Sequence, residues 1–435
     1  MKTTIRRQIL VLLLLAPALA SGSDALPEPL TLDAALNNAQ NPRHFELLEI
    51  DERLRALDAE LGIEQSNNDF RLDLTGRIRQ VGLNDIAEEL DIDEDGGDSA
   101  ASLVLSKPIY DFGLQDSMES SLGLQHQALE LQKQLLVERR RLAIMQKYFD
   151  VLNADNQFIS ENEALAMGFI HYDNAVQDQE LGLVPEIEVL RLQSEYEVIR
   201  QKRYLAEQRQ RLTRSILAEA MGYPQQLSSS LEAPEINTDR AIPDDVQALV
   251  KRAEQHSLEA RVVMANTRAA QAAIKIAEST GGPSLDLELE VSTYERETRT
   301  RDDWRAGLYI EVPLYGGSSP AKVDLAMARY RQALASQQQM QSHLRLEVLR
   351  LWQQLKQLQL ENQGRVVEQD YRDRYLDRSR AEYELEFKTD LGDSMVLYSR
   401  SNTERLRVLY EFELAYQKLA ALVGADYLQE AASLQ

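Results

Sequence analysis

The chain switches between two hydrophobic periods, and it makes the switch twice. From Thr31 to about Gln65, apolar residues recur at helical spacing, with Thr31 suited to cap the helix start, until Asn67-Asn68 interrupts. Over Phe70 to Val81 the period drops to two. Phe70, Leu72, Leu74 and Ile78 alternate with Arg71, Asp73, Thr75, Arg77 and Arg79, which predicts a strand with one greasy and one charged face. A loop dense in Asp and Glu fills Gly82 to Asp98, and strand character resumes over about 102–109, where Pro108 cannot donate to a sheet ladder. Helical spacing then runs from Leu114 to about Glu180. Here Leu124, Ala128, Leu131, Leu135, Leu142, Met145, Phe149 and Leu152 advance by fours and threes with one polar gap at Glu138, the seam of a coiled coil. A straight helix of that length measures about 100 Å at about 1.5 Å per residue. Gly182 and Pro185 permit a reversal, and Ile187 to Met221 returns, so that 114–222 form one long antiparallel hairpin.

After a connector at 225–243, rich in Ser, Pro and Gln, the plan repeats. Val246 to about Glu278 reads as a helix and Gly281-Gly-Pro breaks it. Leu285, Leu287, Leu289 and Val291 alternate with Asp286, Glu288, Glu290 and Ser292 over about 285–293. A charged loop follows, and Trp304, Ala306, Leu308, Ile310 and Val312 then alternate with Arg305, Gly307, Tyr309 and Glu311 over 304–312. A second long helix spans Ala321 to about Phe387, with the seam Leu344, Val348, Leu351, Leu355 and Leu358, and its return runs from Leu391 to Val423. Pro108 and Pro313 stand 205 positions apart, as do Gln127-Ala-Leu and Gln332-Ala-Leu. A period that long marks a duplicated half, since solenoid units repeat every 20–50 or so residues. The expected organisation is a first repeat over 21–224, the connector, a second repeat over 244–424 with its hairpin at 318–424, and a tail at 425–435.

Composition narrows the reading. The first residues, Met-Lys-Thr-Thr-Ile-Arg-Arg, precede the apolar run Ile9 to Leu15 and Ala18-Leu-Ala, the pattern of a secretory signal cleaved after residue 20. Pro17 interrupts that run well short of the 20 or so apolar residues a membrane-spanning helix needs. Loss of Lys2, Arg6 and Arg7 takes the formal net charge from −23 to −26, which argues against a nucleic-acid partner. With no cysteine in an exported chain, stability rests on packing or oligomerisation. The five histidines lack metal-ligand spacing and no nucleophile, base and orienter set is visible, so neither a metal, a cofactor nor an enzyme activity is expected.

The strands decide more. Ionised residues at nearly every second position require water on one face, while the apolar face needs cover that helices committed to coiled-coil seams cannot give. Four strands cannot close around water alone, so several chains must pool them. A barrel apolar outside and polar within is the form in which sheet crosses an outer membrane. Its lumen would then carry Arg71, Asp73, Arg77, Asp286, Glu288, Glu290, Arg305 and Glu311.

Five segments carry a family resemblance in this order and in duplicate: Leu30-Thr-Leu-Asp-Ala-Ala-Leu, Pro108-Ile-Tyr-Asp-Phe-Gly, Leu181-Gly-Leu-Val-Pro-Glu-Ile-Glu-Val-Leu, Pro313-Leu-Tyr-Gly-Gly and Leu419-Ala-Ala-Leu-Val-Gly. Over essentially the whole mature chain the sequence resembles the TolC family of outer-membrane efflux channels. The resemblance implies a mainly α fold with a small membrane β part, in which a homotrimer pools four strands per chain into a twelve-strand β-barrel. It also implies an α-helical tunnel reaching across the periplasm, and partnership with a periplasmic adaptor and an inner-membrane pump. Drug efflux and type I secretion stay undecided. A soluble periplasmic coiled-coil adaptor or structural protein is the alternative, and it would not need two pairs of amphipathic strands.

In a threefold assembly each acidic residue near the axis becomes a ring of three, and the hairpin tips are rich in acids. Asp390 and Asp393, flanking Gly392, are the expected constriction, with Glu386 and Lys388 holding it and Glu186 and Glu188 of the first tip as the second choice. The second tip places Gly392 later in its turn than Gly182 lies in the first, a departure that leaves the alignment of gate residues open.

Overall fold

The computed structural model describes residues 26–81, 96–226, 228–295, 302–314, 319–385 and 390–433. The expected leader and most of the acidic loop lie outside them. The first expected helix is two: α1 (Leu32–Asn37), capped by the Thr31 hydroxyl accepting from the Ala34 N–H at 3.2 Å, and α2 (Phe45–Asn67). Pro42 separates them, because the residue before a proline avoids helical backbone and Asn41 is extended at φ −60°, ψ 120°. The matching helix of the second repeat is also split, into α5 (Val246–His256) and α6 (Leu258–Ser279). There Ser257 turns extended at φ −59°, ψ 140° and accepts from the Ala260 N–H at 3.1 Å, restarting the helix.

The first hairpin consists of α3 (Leu114–Glu180) and α4 (Glu186–Met221). Its turn is a Schellman motif: Gly182 takes φ 72°, and the Leu183 N–H reaches back to the Asp178 carbonyl at 2.8 Å. The second hairpin is α7 (Ser319–Glu384) and α8 (Leu391–Val423). The expected tail is a further helix, α9 (Ala425–Ser433), whose Leu428 is buried in the core.

Four long strands form one antiparallel sheet in the order β1 (Arg71–Arg77), β4 (Ala100–Tyr110), β5 (Ser284–Tyr294), β6 (Trp304–Glu311). The strand expected to reach Val81 stops at Arg77. Gln80–Val81 (β2) instead pairs with Gly96–Gly97 (β3) in a separate two-stranded ribbon. Strands β4 and β5 come from different repeats and lie side by side at the centre, leaving β1 and β6 as edges that do not pair with each other.

The helices are layered in the same open manner. Next to the sheet they run α2, α3, α6, α7; towards the hairpin tips they run α4, α3, α8, α7. Each layer is four elements wide, and among the described residues no layer closes on itself.

Two hydrophobic cores sit where the helix layers change over, one per repeat. Leu30, Leu36, Ile144, Tyr148, Phe149, Leu217 and Met221 build the first, and Leu249, Val348, Leu351, Leu355, Phe412, Leu419 and Leu428 the second. Tyr410 of α8 enters the first core and stacks on Phe149 at 4.9 Å between ring centroids, which ties the repeats together. One aromatic per repeat also holds the connector. The Tyr148 hydroxyl lies 2.7 Å from the Leu30 carbonyl and 2.6 Å from that of Glu232, and the Trp352 indole donates to the Pro243 carbonyl at 2.8 Å. Burial pushes the Tyr148 phenol well up from its ordinary range.

Candidate functional site: strand faces and hairpin tips

Pairing register fixes what each sheet face carries. Arg71 pairs with Ser106, Asp73 with Val104 and Arg77 with Ala100; Ser106 pairs in turn with Glu288 and Val104 with Glu290; Glu290 then pairs with Arg305, Asp286 with Tyr309 and Ser284 with Glu311. The eight charged strand residues singled out by alternation therefore share one face. They are partly self-neutralised: Arg71 Nε lies 2.8 Å from Asp73 Oδ2, and Arg305 pairs with Glu290 across β5 and β6. Arg77 reaches Asp98 at 3.2 Å, and Arg79 reaches the same carboxylate. Asp98 is only 2% exposed and fastens the end of the acidic loop to β1. Asp286, Glu288 and Glu311 have no ion pair among the described residues, leaving the helix-proximal half of this face net acidic.

The opposite face is arranged in rows across the sheet. Leu74, Leu103, Val291 and Trp304 form one row, Leu72, Leu105, Leu289 and Ala306 the next, and Lys107, Leu287 and Leu308 the third. Beyond a register shift between Pro108 and Tyr110, Tyr110, Leu285 and Ile310 form a fourth. Among the described residues no element covers this face: Leu72 is 62% exposed, Leu308 66% and Ile310 71%.

At the tips the arrangement differs from the expected one. Glu186 and Glu188 open α4, where a helix N-terminus favours acids. Glu188 is committed to Arg191, whose guanidinium donates to both its oxygens at 2.6 and 3.0 Å and holds the carboxyl below its usual range. Asp390 is exposed at the N-cap position of α8, and its carbonyl accepts from the Ser394 N–H at 2.9 Å. Asp393 turns across to the first hairpin, where its Oδ2 lies 3.5 Å from His171 Nε2. Gly392 allows the approach, since a Cβ there would collide with the end of the Met167 side chain. Glu386 and Lys388 lie outside the described residues. His171 and Met167 were not singled out from sequence; the lack of a side chain at Gly392 was the available signal.

No protein-family model matches the chain, and no curated protein matches its sequence. Solved structures do. The Campylobacter jejuni CmeC outer membrane channel superposes with a TM-score of 0.71 at 15% identity, over 92% of this chain and 89% of that one. The outer membrane protein VceC of Vibrio cholerae gives 0.69 at 16% identity, over 90% and 96%. The open state of the Neisseria gonorrhoeae MtrE outer membrane channel gives 0.65 at 14% identity, over 90% and 89%. Among the described residues no helix is long and apolar enough to cross a membrane. Two open helical layers, a duplicated hairpin plan and a four-strand sheet with one uncovered apolar face together give this chain the fold of the TolC-like outer-membrane channels.

Proposed function

We propose that the protein is the outer-membrane exit duct of a tripartite export system, working as a homotrimer with a periplasmic adaptor and an inner-membrane pump. The observation that carries this reading is the open edge repeated at every level. In the sheet (β1 and β6), in the sheet-side helices (α2 and α7) and in the tip-side helices (α4 and α7), two edges per layer await a neighbouring copy. Unpaired strand edges are satisfied within a membrane only by closure. Three copies, the number implied by the resemblance, give twelve strands. The apolar rows then face lipid, the charged face lines a wet passage, and the hairpins extend the tunnel into the periplasm.

A soluble coiled-coil adaptor would share the hairpins, but it would leave Leu72, Leu308 and Ile310 in water with nothing to cover them. At the periplasmic entrance Asp390 and Asp393 form the constriction, with the Asp393–His171 contact setting the spacing between hairpins. Glu186 contributes a further ring, while Glu188 is neutralised by Arg191. Planar-bilayer recording tests the reading: the purified protein should conduct and favour cations, whereas material that never conducts points to the adaptor. A deletion strain scored for drug sensitivity and for missing secreted proteins separates the two cargo classes.

A further inference from the structure

The apolar face holds one ionised side chain within its paired rows, Lys107, and its surroundings point to a ligand. Lys107 pairs with Leu287 on β5, and on the β1 side Phe70 immediately precedes Arg71, the partner of Ser106. The ammonium lies over the Phe70 ring, 4.6 Å from its centroid, and has no carboxylate partner among the described residues. Every other charged strand residue in the paired rows is on the opposite face, so this lysine breaks the alternation that the sheet otherwise keeps.

The next row on the helix side sets an aromatic, Tyr110, beside Leu285 and Ile310. Tyr110 is 56% exposed and follows the register shift, and Phe112 packs against it with ring centroids 4.7 Å apart. Phe112 takes a left-handed backbone, φ 55°, the one such non-glycine among the described residues. A bulky residue adopts that conformation at a cost, and here it lays a second exposed ring beside Tyr110 at the strand-to-helix turn.

A cation on a long apolar stem, flanked by amphipathic rings and with hydrocarbon-like surface above it, fits the boundary between acyl chains and headgroups. The stem covers apolar surface, the ammonium snorkels outward, and the rings occupy the interface. Resting on the outer-membrane reading above, we infer that Lys107, Phe70 and Tyr110 form a binding site for an anionic glycerophospholipid of the leaflet nearest the helices, repeated once per copy. The ammonium receives the phosphate, and Leu287 with Leu105 and Leu289 of the next row towards mid-sheet receive the acyl chains. Lipid phosphate is favoured over free phosphate because one half-buried lysine supplies a single charge, and the remaining affinity must come from the apolar rows.

The test titrates phosphatidylglycerol, phosphatidylethanolamine and glycerol phosphate separately into the detergent-solubilised protein and reads the midpoint of heat dissociation. Phosphatidylglycerol should raise the midpoint of the wild type, and the other two should not. Lys107→Met, which suits an apolar face and keeps the assembly, should abolish the rise; Lys107→Arg should retain it. Phe70→Leu should reduce it with the charge in place. An equal rise in Lys107→Met, or an equal rise with glycerol phosphate, overturns the assignment. Protein that stays dispersed without detergent before any lipid is added overturns the membrane reading instead, and the two failures are distinct.

Discussion

Leu289→Arg probes the sheet at its most decisive position. Leu289 sits in the row with Leu72, Leu105 and Ala306, between the row of Leu103 and Val291 and that of Lys107 and Leu287, so it lies about two residues from each neighbouring row and near mid-height of the apolar face. An arginine at the midplane of a membrane barrel costs about 2–4 kcal/mol. Each trimer carries the change three times, which gives about 6–12 kcal/mol per assembled barrel. At about 1.4 kcal/mol per factor of ten, even the lower figure shifts the assembly equilibrium roughly ten-thousandfold. The neighbouring change, Glu288→Arg, falls on the opposite face between Ser106 and Gly307 and moves no charge into lipid. Outer-membrane fractions run unheated and heated on SDS gels measure trimer yield. Leu289→Arg should lose the trimer band, whereas Glu288→Arg should keep it and alter single-channel conductance. Equal yields, or loss with Glu288→Arg alone, would refute the assignment of faces.

Three further expectations follow from the helical part. Asp390→Asn with Asp393→Asn should weaken cation selectivity and block by multivalent cations in planar bilayers without lowering trimer yield; unchanged selectivity would move the constriction towards Glu186. Gly392→Ala drives a Cβ into Met167 and should cost about 1 kcal/mol, read as faster proteolysis at the tips, with Met167→Ala restoring resistance in the same background. Burial raises the phenols of Tyr148, Tyr410 and Tyr416, so the folded chain holds these protons more tightly than the unfolded one. Their contribution is complete below the ordinary tyrosine range near pH 10 and is lost as pH rises through and above it, so the urea midpoint of the helical signal should fall there. Tyr148→Phe should cost about 1 kcal/mol at neutral pH and flatten part of that fall.

What the sequence made legible was whatever repeats locally. Seams such as Leu344, Val348, Leu351 and Leu355 and alternations such as Leu285 to Val291 are properties of neighbouring residues, and they indicated both hairpins and all four long strands. Pro42 lies within a stretch of helical spacing, and the stop it imposes appears only in the backbone. Ser257 gave a fainter sign, because a serine inside a helix and a serine capping a new one look alike until the backbone turns. The strand order could not be read along the chain, since β4 pairs with β5 from the other repeat. Asp98, at the end of an acidic run, resembled its solvated neighbours, although Arg77 of β1 and Arg79 just beyond it pair with it and it is buried. The tip contact joins His171 to Asp393 across the two hairpins, and no local pattern links them.

The central claim is that layers four elements wide are closed by neighbouring copies. Native mass spectrometry of the protein extracted in detergent tests it most directly. The account predicts a single species at three times the mass of the mature chain, stable until heating. A monodisperse monomer that needs no detergent would contradict it.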